Sequence, residues 1–299
     1  MRILVSGSTG LVGSALVSLL ESQGHQAVRL LRSGLEAKDS GLVWDPANAI
    51  QDTLGWDGLD AIVHLAGESI AAGRWTPLKK AKIRDSRVVG TRNLCEMVAS
   101  LDEPPKVLVC ASAIGYYGDR ASQVLTEESP SGKGFLAEVC RDWEAAVEAA
   151  TKKGIRVVHS RTGVVLSASG GALTKMLTPF KMGFGGVVGG GRQYMSWIAL
   201  DDMVSAIAHV INTETIEGPV NMVAPNPVTN YEFTKTLGRV LGRPTIFPVP
   251  AFAARLAFGE MADELLLSSA RISCAKLLAS GYQFKFSKLE DALKYLLNR

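Results

Sequence analysis

Cysteine and histidine are scarce in this chain of 299 residues, with four of each. Cys95, Cys110, Cys140 and Cys274 form no Cys-x-x-Cys pair and no metal-ligand spacing, so a metal site is not expected, while free thiols in a reducing compartment are. Runs of like charge are also missing: Lys plus Arg number 32 against 29 Asp plus Glu, a net charge of +3, and the two signs are interspersed. Without a basic tract, neither a nucleic acid nor a membrane surface is an expected partner. No uncharged apolar run reaches the roughly 20 residues that span a bilayer. The most apolar region, 251–267, is broken by Arg255, Glu260, Asp263 and Glu264. A strand is read from residue 2 onward, which leaves no room for a signal peptide, and the expected location is cytoplasmic. Internal repeats are absent, and the one compositionally biased tract is the Gly-rich 183–191.

What the chain does have begins at its first residues. Ile3, Leu4 and Val5 form an apolar run suited to a buried parallel strand, and Gly7, Gly10 and Gly13 follow at three-residue spacing. Leu11, Val12, Ala15, Leu16, Leu19 and Leu20 then recur at helical spacing until Gly24. Glycines let a backbone approach a pyrophosphate closely, and the free N–H groups of a helix start attract its charge. A second strand, 27–31, leads to Arg32, with no carboxylate until Glu36. A carboxylate there would hold the ribose hydroxyl of NAD, whereas a guanidinium suits the 2′-phosphate of NADP. Because strand residues alternate sides, that contact is assigned to Arg32 and Arg29 is read as a bystander.

Farther along, 42–44 is a short candidate strand, and 61–65 reads as a buried strand. It ends in Ala66, Gly67 and Glu68, where a ligand can lie across the C-terminal edge of the sheet. A helix over 77–101 starts at Pro77 behind a Thr76 cap. The strand 106–110 delivers Ser112, Tyr116 and Tyr117 to the same edge, and a helix over 135–153 and a strand over 155–159 follow. This alternation through residue 166 predicts an α/β fold, a Rossmann-like doubly wound parallel sheet over 1–166 to which later segments return. Residues 167–299 read as a smaller, mostly helical substrate lobe. In it, Arg192, Gln193 and Trp197 look like part of a substrate cover, and Asp201 and Asp202 like caps of a helix over 203–211.

GSTGLVG, HLAGE, SAIGYYG, the TEESP loop, RTGVVL, GGGRQYMSWIALDD and NPVTNYEFTKTLGRVLGRP stand in the order of the landmarks of extended short-chain dehydrogenases/reductases, which the chain therefore resembles. WDP, LAGESIAAGRW, FLAEVCRDWE and the stretch from PVPAFAARLAFGE to GYQF narrow the resemblance to an epimerase-like subgroup of uncertain activity with its own small C-terminal domain. The resemblance spans essentially the whole chain. It implies NADP at the glycine turn, with Thr9, Leu11 and Val12 beside the glycines and Leu31 and Arg32 near the adenosine phosphate. It further implies Leu65 and Ala66 along the cofactor, Lys82, Arg87 and Val165 around its nicotinamide half, and a homodimer as one option.

Active members of that superfamily carry a Tyr and, four residues later, a Lys that lowers the phenol's pKa for proton exchange. Here the two positions hold Leu136 and Cys140, or Phe135 and Val139 if the register moves by one. The Asn that such enzymes often carry in the preceding long helix is Arg87. Candidates for proton transfer are then Ser112, Tyr116 and Tyr117, with Glu68 and Cys140 behind them. The tyrosines also read as aromatic walls, Glu68 as a ribose ligand and Cys140 as a buried, inert thiol. Two functions follow: an NADP-dependent oxidoreductase or epimerase acting on a small or sugar-like molecule, or a non-catalytic NADP(H)-binding sensor, for which the missing pair speaks.

Overall fold

In the computed structural model, which describes residues 1–32, 41–50 and 55–299, Ile3, Leu4 and Val5 are fully buried within β1 (Arg2–Ser6). Glu36 lies outside the described residues. The chain continues through α1 (Leu11–Ser22), β2 (Gln26–Arg32), β3 (Leu42–Trp44), β4 (Ala61–His64), α2 (Pro77–Ser100) and β5 (Val107–Ala113). Next come β6 (Val124–Leu125), α3 (Phe135–Ala145), α4 (Glu148–Lys152), β7 (Arg156–Thr162), β8 (Val164–Leu166) and α5 (Gly171–Lys181). The remainder holds β9 (Tyr194–Met195), β10 (Trp197–Ala199), α6 (Leu200–Asn212), β11 (Gly218–Met222), β12 (Val228–Thr229), α7 (Asn230–Leu241) and α8 (Ala251–Phe258). It ends in β13 (Arg271–Ile272), α9 (Ala275–Ala279) and α10 (Leu289–Leu296).

Seven strands form one parallel sheet in the order β11-β7-β5-β4-β1-β2-β3. Its strands are apolar runs rather than alternating ones because helices cover both faces. Leu16 and Val17 of α1 and Val204 and Ile207 of α6 pack on one face; Leu94 and Val98 of α2, Trp143 of α3 and Ala150 of α4 pack on the other. The doubly wound sheet is the predicted one, and the 42–44 piece is its edge strand. Strand order reverses between β1 and β4, and the crevice outside that point is where open α/β sheets bind ligands.

Local chemistry sets the ends of several elements. Thr76 accepts the Lys79 N–H at 3.2 Å, and Pro77 occupies the first turn of α2, as expected. The helix expected over 135–153 bends at Ala146 and Val147, which keeps Trp143, Val147 and Ala150 all in the core. Asp202 is not a cap: α6 begins at Leu200 without a side-chain cap, and the Asp202 carboxylate accepts the N–H groups of Lys285 at 2.7 Å and Phe286 at 3.0 Å. It holds the C-terminal segment to α6.

That lobe has its own core, in which Leu173 and Leu177 of α5, Phe233 and Leu237 of α7 and Leu293 of α10 meet. Trp197 and Gln193 are internal parts of it rather than a cover. Trp197 is fully buried, and Gln193 Nε2 donates to the carbonyls of Val188 and Leu266, 3.0 Å each. Glu264 reaches across from the lobe to the start of α3, where it accepts the N–H groups of Phe135 at 3.2 Å and Leu136 at 3.4 Å.

The glycine turn is a packing constraint as well as a ligand feature. A Cβ at Gly13 would lie 2.2 Å from the Gly7 carbonyl oxygen, backbone that cannot step aside, whereas one at Gly10 would lie 3.2 Å away. Gly13→Ala is expected to cost about 3 kcal/mol or more in urea unfolding, and Gly10→Ala distinctly less. Equal losses would show that this close approach does not limit the turn.

Candidate functional site

Gly7 has φ +68°, and a Cβ on it would lie 2.9 Å from the carbonyl carbon and oxygen of Leu65. The turn after β1 therefore presses on the end of β4, and no side chain caps the first N–H groups of α1. Ser8 beside them is buried, and its Oγ has no hydrogen-bond partner among the described residues. A bare-backbone cradle, a helix start and an orphaned hydroxyl fit a phosphate of a dinucleotide.

Gly7, Thr9, Gly10, Leu31, Arg32, Leu65, Ala66, Gly67 and Glu68 line one cleft, so nine of the sequence-derived cofactor residues come together. Leu11, Val12 and Gly13 open α1 at its rim. Ser8, Leu30, Trp44, Pro46 and Ser86 also line it and were not singled out. Trp44 and Pro46 belong to the WDP stretch. Pro46 packs on Gly90 of α2, where a Cβ would meet its own Cβ at 3.2 Å, so the stretch is a wall that the spacing of sequence letters does not reveal. Val12, Leu65 and Val165 pack against a single apolar cluster, and Leu11 touches the turn at Gly170 and Gly171, which closes the opposite side.

The polar end of the cleft is basic. Glu68 pairs with Lys79 at 2.5 Å, a bond that holds its carboxyl below the usual range with further help from Arg32 and Lys82. Lys79 is not among the residues singled out in the sequence. Lys82 is exposed on α2 and outside the cleft wall, whereas Arg87 lies against Gly67 and donates through Nη1 to the carbonyls of Glu68 and Ile83, 3.0 Å each.

Beneath the cleft, Ser6 Oγ accepts the N–H groups of Leu65 at 3.1 Å and Ala66 at 3.2 Å and lies 2.7 Å from His64 Nδ1. With both lone pairs taken, the serine proton goes to Nδ1, which places the imidazole proton on Nε2. His64 is fully buried with Trp44 edge-on at 5.8 Å, and burial pushes its pKa down to about 4.

Next to the cleft, at the ends of β5 and β7, the proton-transfer candidates are tied into one network. Ser112 Oγ donates to Glu144 Oε1 at 2.7 Å, and Arg161 grips the same carboxylate through Nε at 2.9 Å and Nη2 at 2.8 Å. Arg161 Nη1 also donates to Tyr117 Oη at 2.9 Å, and that phenol donates to Asn221 Oδ1 at 2.7 Å. Tyr117 is fully buried, and burial pushes its phenol up to about 12 against the pull of Arg161. As a proton donor Tyr117 is therefore corrected to a core brace: no solvent reaches it and its hydroxyl is spent. Tyr116 is half-buried, with its ring 3.6 Å from the Arg161 guanidinium and no hydrogen bond from its hydroxyl among the described residues. Leu136 and Cys140 fill the positions of the missing pair with apolar surface. A Cβ on Gly115 would lie 3.2 Å from Leu136 Cβ, and burial pushes the Cys140 thiol up to about 12, so it is inert.

Such a cleft on such a sheet defines a dinucleotide-binding α/β protein of the short-chain dehydrogenase/reductase kind. The chain belongs to the NAD dependent epimerase/dehydratase family, whose model matches residues 3–223, and a domain of unknown function matches residues 249–296. It is 43% identical to an epimerase family protein of Mycobacterium bovis over 99% of this chain and 98% of that one. The human crystal structure of epimerase family protein SDR39U1 with NADPH superposes with a TM-score of 0.91 at 33% identity, covering 100% of both chains. A nucleoside-diphosphate sugar epimerase of Corynebacterium glutamicum, 38% identical, matches with a TM-score of 0.81 over 99% of this chain and 58% of that one. No helix among the described residues is long and apolar enough to cross a membrane, and no cluster of metal-ligating side chains is present among them.

The buried imidazole gives a signed pH dependence. His64 stays neutral in the folded protein down to about pH 4, whereas the unfolded chain takes up a proton below its ordinary value of 6.5. Stability is therefore lost as the pH falls through that window, by about 2 kcal/mol at pH 5 relative to pH 7.5. Urea unfolding at the two pH values should show that difference in the wild type and a smaller one in His64→Gln. Equal pH dependence in both would assign the effect to other groups.

Proposed function

We propose that the protein is an NADP(H)-dependent oxidoreductase or epimerase acting on a small or sugar-like molecule, with residues 1–166 holding the cofactor and 167–299 covering the substrate. The observation that carries this reading is the combination of a phosphate-sized backbone cradle at Gly7 and Gly10 with a cationic side chain, Arg32, ending β2 in the same cleft. Lys79 and Lys82 add positive charge around Glu68, the carboxylate in that wall, and Lys79 already answers it. The human relative crystallised with NADPH supports the phosphate-bearing cofactor, and the Corynebacterium relative's description supports a sugar-like substrate.

NADP(H), when bound, supplies or accepts hydride at its nicotinamide ring. The chain does the rest. The glycine turn and Ser8 hold the pyrophosphate, Arg32 holds the 2′-phosphate, and Ser6 fixes the Leu65 and Ala66 amides that run along the cofactor. Ser112 donates its hydroxyl hydrogen bond to Glu144, so toward substrate it offers lone pairs and can orient a hydroxyl. Tyr116, whose hydroxyl has no partner in the described chain, takes the proton exchange, with the Arg161 cation on its ring in place of the missing lysine.

A second reading, an NADP(H) sensor without turnover, is favoured by Leu136 and Cys140, whose hydrocarbon and inert thiol occupy the usual proton-transfer positions.

The purified protein is expected to bind NADPH about tenfold or more tightly than NADH, with Arg32→Ala erasing most of that preference in fluorescence titrations. Equal affinities in the wild type would sink the NADP assignment. For turnover, NADPH absorbance is followed across a panel of carbonyl compounds and sugar nucleotides. Activity abolished by Tyr116→Phe supports the enzyme; silence across the panel with tight NADPH binding supports the sensor.

A further inference from the structure

Large apolar side chains with more than half of their surface exposed come together in the C-terminal lobe. Met182 and Phe184 follow α5, Ile246 and Phe247 lie in the loop between α7 and α8, and Phe252 and Leu256 stand on α8. Contacts join these segments. The Phe184 and Phe247 rings lie 6.3 Å apart, Val188 bridges to Val249, and α5 and α7 share the core of the lobe. In α8 only Ala254 is buried, so Phe252 and Leu256, one turn apart, occupy the opposite side of the helix. Apolar residues exposed singly are ordinary, whereas a set gathered on one face marks a contact surface.

The charge on this face has one sign. The stretches that build it, 171–191 and 233–259, contain no aspartate or glutamate, and they carry Lys175, Lys181, Lys235, Arg239, Arg243 and Arg255. Arg239 and Arg255 pair with Glu290 and Asp263, but among the described residues no carboxylate meets the other four. The Lys235 ammonium donates to the Thr245 carbonyl at 2.9 Å, beside Ile246. Arg74 donates to the Leu256 carbonyl of α8, and Lys175 to the Ala71 carbonyl at 2.8 Å, so the loop that carries Ala71 and Arg74 adds a further cation between α5 and α8. These residues lie far apart in the sequence and form no basic tract there; the fold assembles one.

Apolar side chains set among unanswered cations match an anionic lipid surface, which offers hydrocarbon below a layer of phosphates. A second copy of the chain is a poorer match, because a twofold contact would bring the cations of one patch against those of the other. A protein partner is anchored by side chains that fill pockets, whereas Ile246, Phe252 and Leu256 project at 71, 72 and 75% exposure. We infer that this face docks the protein on a membrane surface rich in anionic lipid. Ile246, Phe252 and Leu256 enter the headgroup layer, and Lys181, Lys235 and Arg243 meet the phosphates. The attachment is peripheral and reversible, since no helix among the described residues is long and apolar enough to cross a membrane. It is independent of what fills the cleft at the glycine turn.

The test is flotation of the full chain with vesicles of phosphatidylcholine, alone or mixed with phosphatidylglycerol. Binding to the mixed vesicles is expected, weakened by added salt and reduced about tenfold or more by Phe252→Ser combined with Leu256→Ser, and likewise by Lys181→Gln combined with Arg243→Gln. All four side chains are exposed, and urea midpoints like the wild type's show that the variants are folded. Phe252→Trp gives a second readout, a blue shift of the added indole emission on the mixed vesicles. The inference is overturned if the wild type floats with neither vesicle, if it binds the uncharged vesicles as tightly, or if both double variants bind as the wild type does. It is also overturned by a concentration-dependent dimer that the Phe252→Ser, Leu256→Ser variant loses, which would assign the face to a second copy. Retention on polyglutamate without vesicle binding, lost in the Lys181→Gln, Arg243→Gln variant, would overturn it in favour of an acidic protein.

Discussion

Arg161 carries a full charge into a nearly dry part of the fold, 3% exposed, and the edge of the sheet is arranged to answer it. Glu144 of α3 meets it through two bonds, the Tyr117 hydroxyl and the Glu127 carbonyl accept from its Nη1, and the Tyr116 ring lies over its face. From there the network extends to Ser112 on β5 and to Asn221 on β11, which in turn donates to the Ser273 carbonyl of the C-terminal lobe. Stranding one partner of such a buried pair costs on the order of 3–5 kcal/mol, so these groups act as a unit. The consequence is direct: most of the polar side chains at this end of β5 and β7 are committed to holding that edge together.

The same logic separates the three arginines of the site. Arg161 is answered inside the protein and is structural. Arg32 is exposed at the end of a strand. Arg87 is intermediate, partly withdrawn from water and, among the described residues, bonded to the carbonyls of Glu68 and Ile83. Burial and the presence or absence of a carboxylate partner assign the roles, although the three side chains are chemically identical.

The C-terminal segment belongs to this arrangement. Glu264 satisfies the free N–H groups at the start of α3, Lys80 of α2 pairs with Glu260 at 2.8 Å, and Asp202 holds the backbone at Lys285 and Phe286. α3 is the helix whose usual Tyr and Lys are replaced, so the lobe anchors a helix that supplies packing and the Glu144 carboxylate rather than a phenol. Local patterns could not show this, since Glu264 and Phe135 are 129 residues apart.

The order of the main strands and helices of the sheet, the glycine turn, the cap of α2 and nine of the residues along the cleft were legible in the amino-acid sequence. Each depends on local rules: apolar runs, glycine spacing, capping chemistry, and the tendency of parallel strands to deliver ligand residues at their C-terminal ends. The missing Tyr-Lys pair was equally plain, because an absence at fixed spacing is a local fact. What the letters left open was which polar side chains are free. Ser112, Tyr117 and Gln193 look available in the sequence and Asp202 looks like a local helix cap, yet their partners are Glu144, Asn221, Val188 and Lys285, brought beside them only by folding. Sequence alone thus determined the framework and part of the cleft's wall; tertiary structure decided which polar groups are spent on partners, because burial and pairing depend on neighbours distant along the chain.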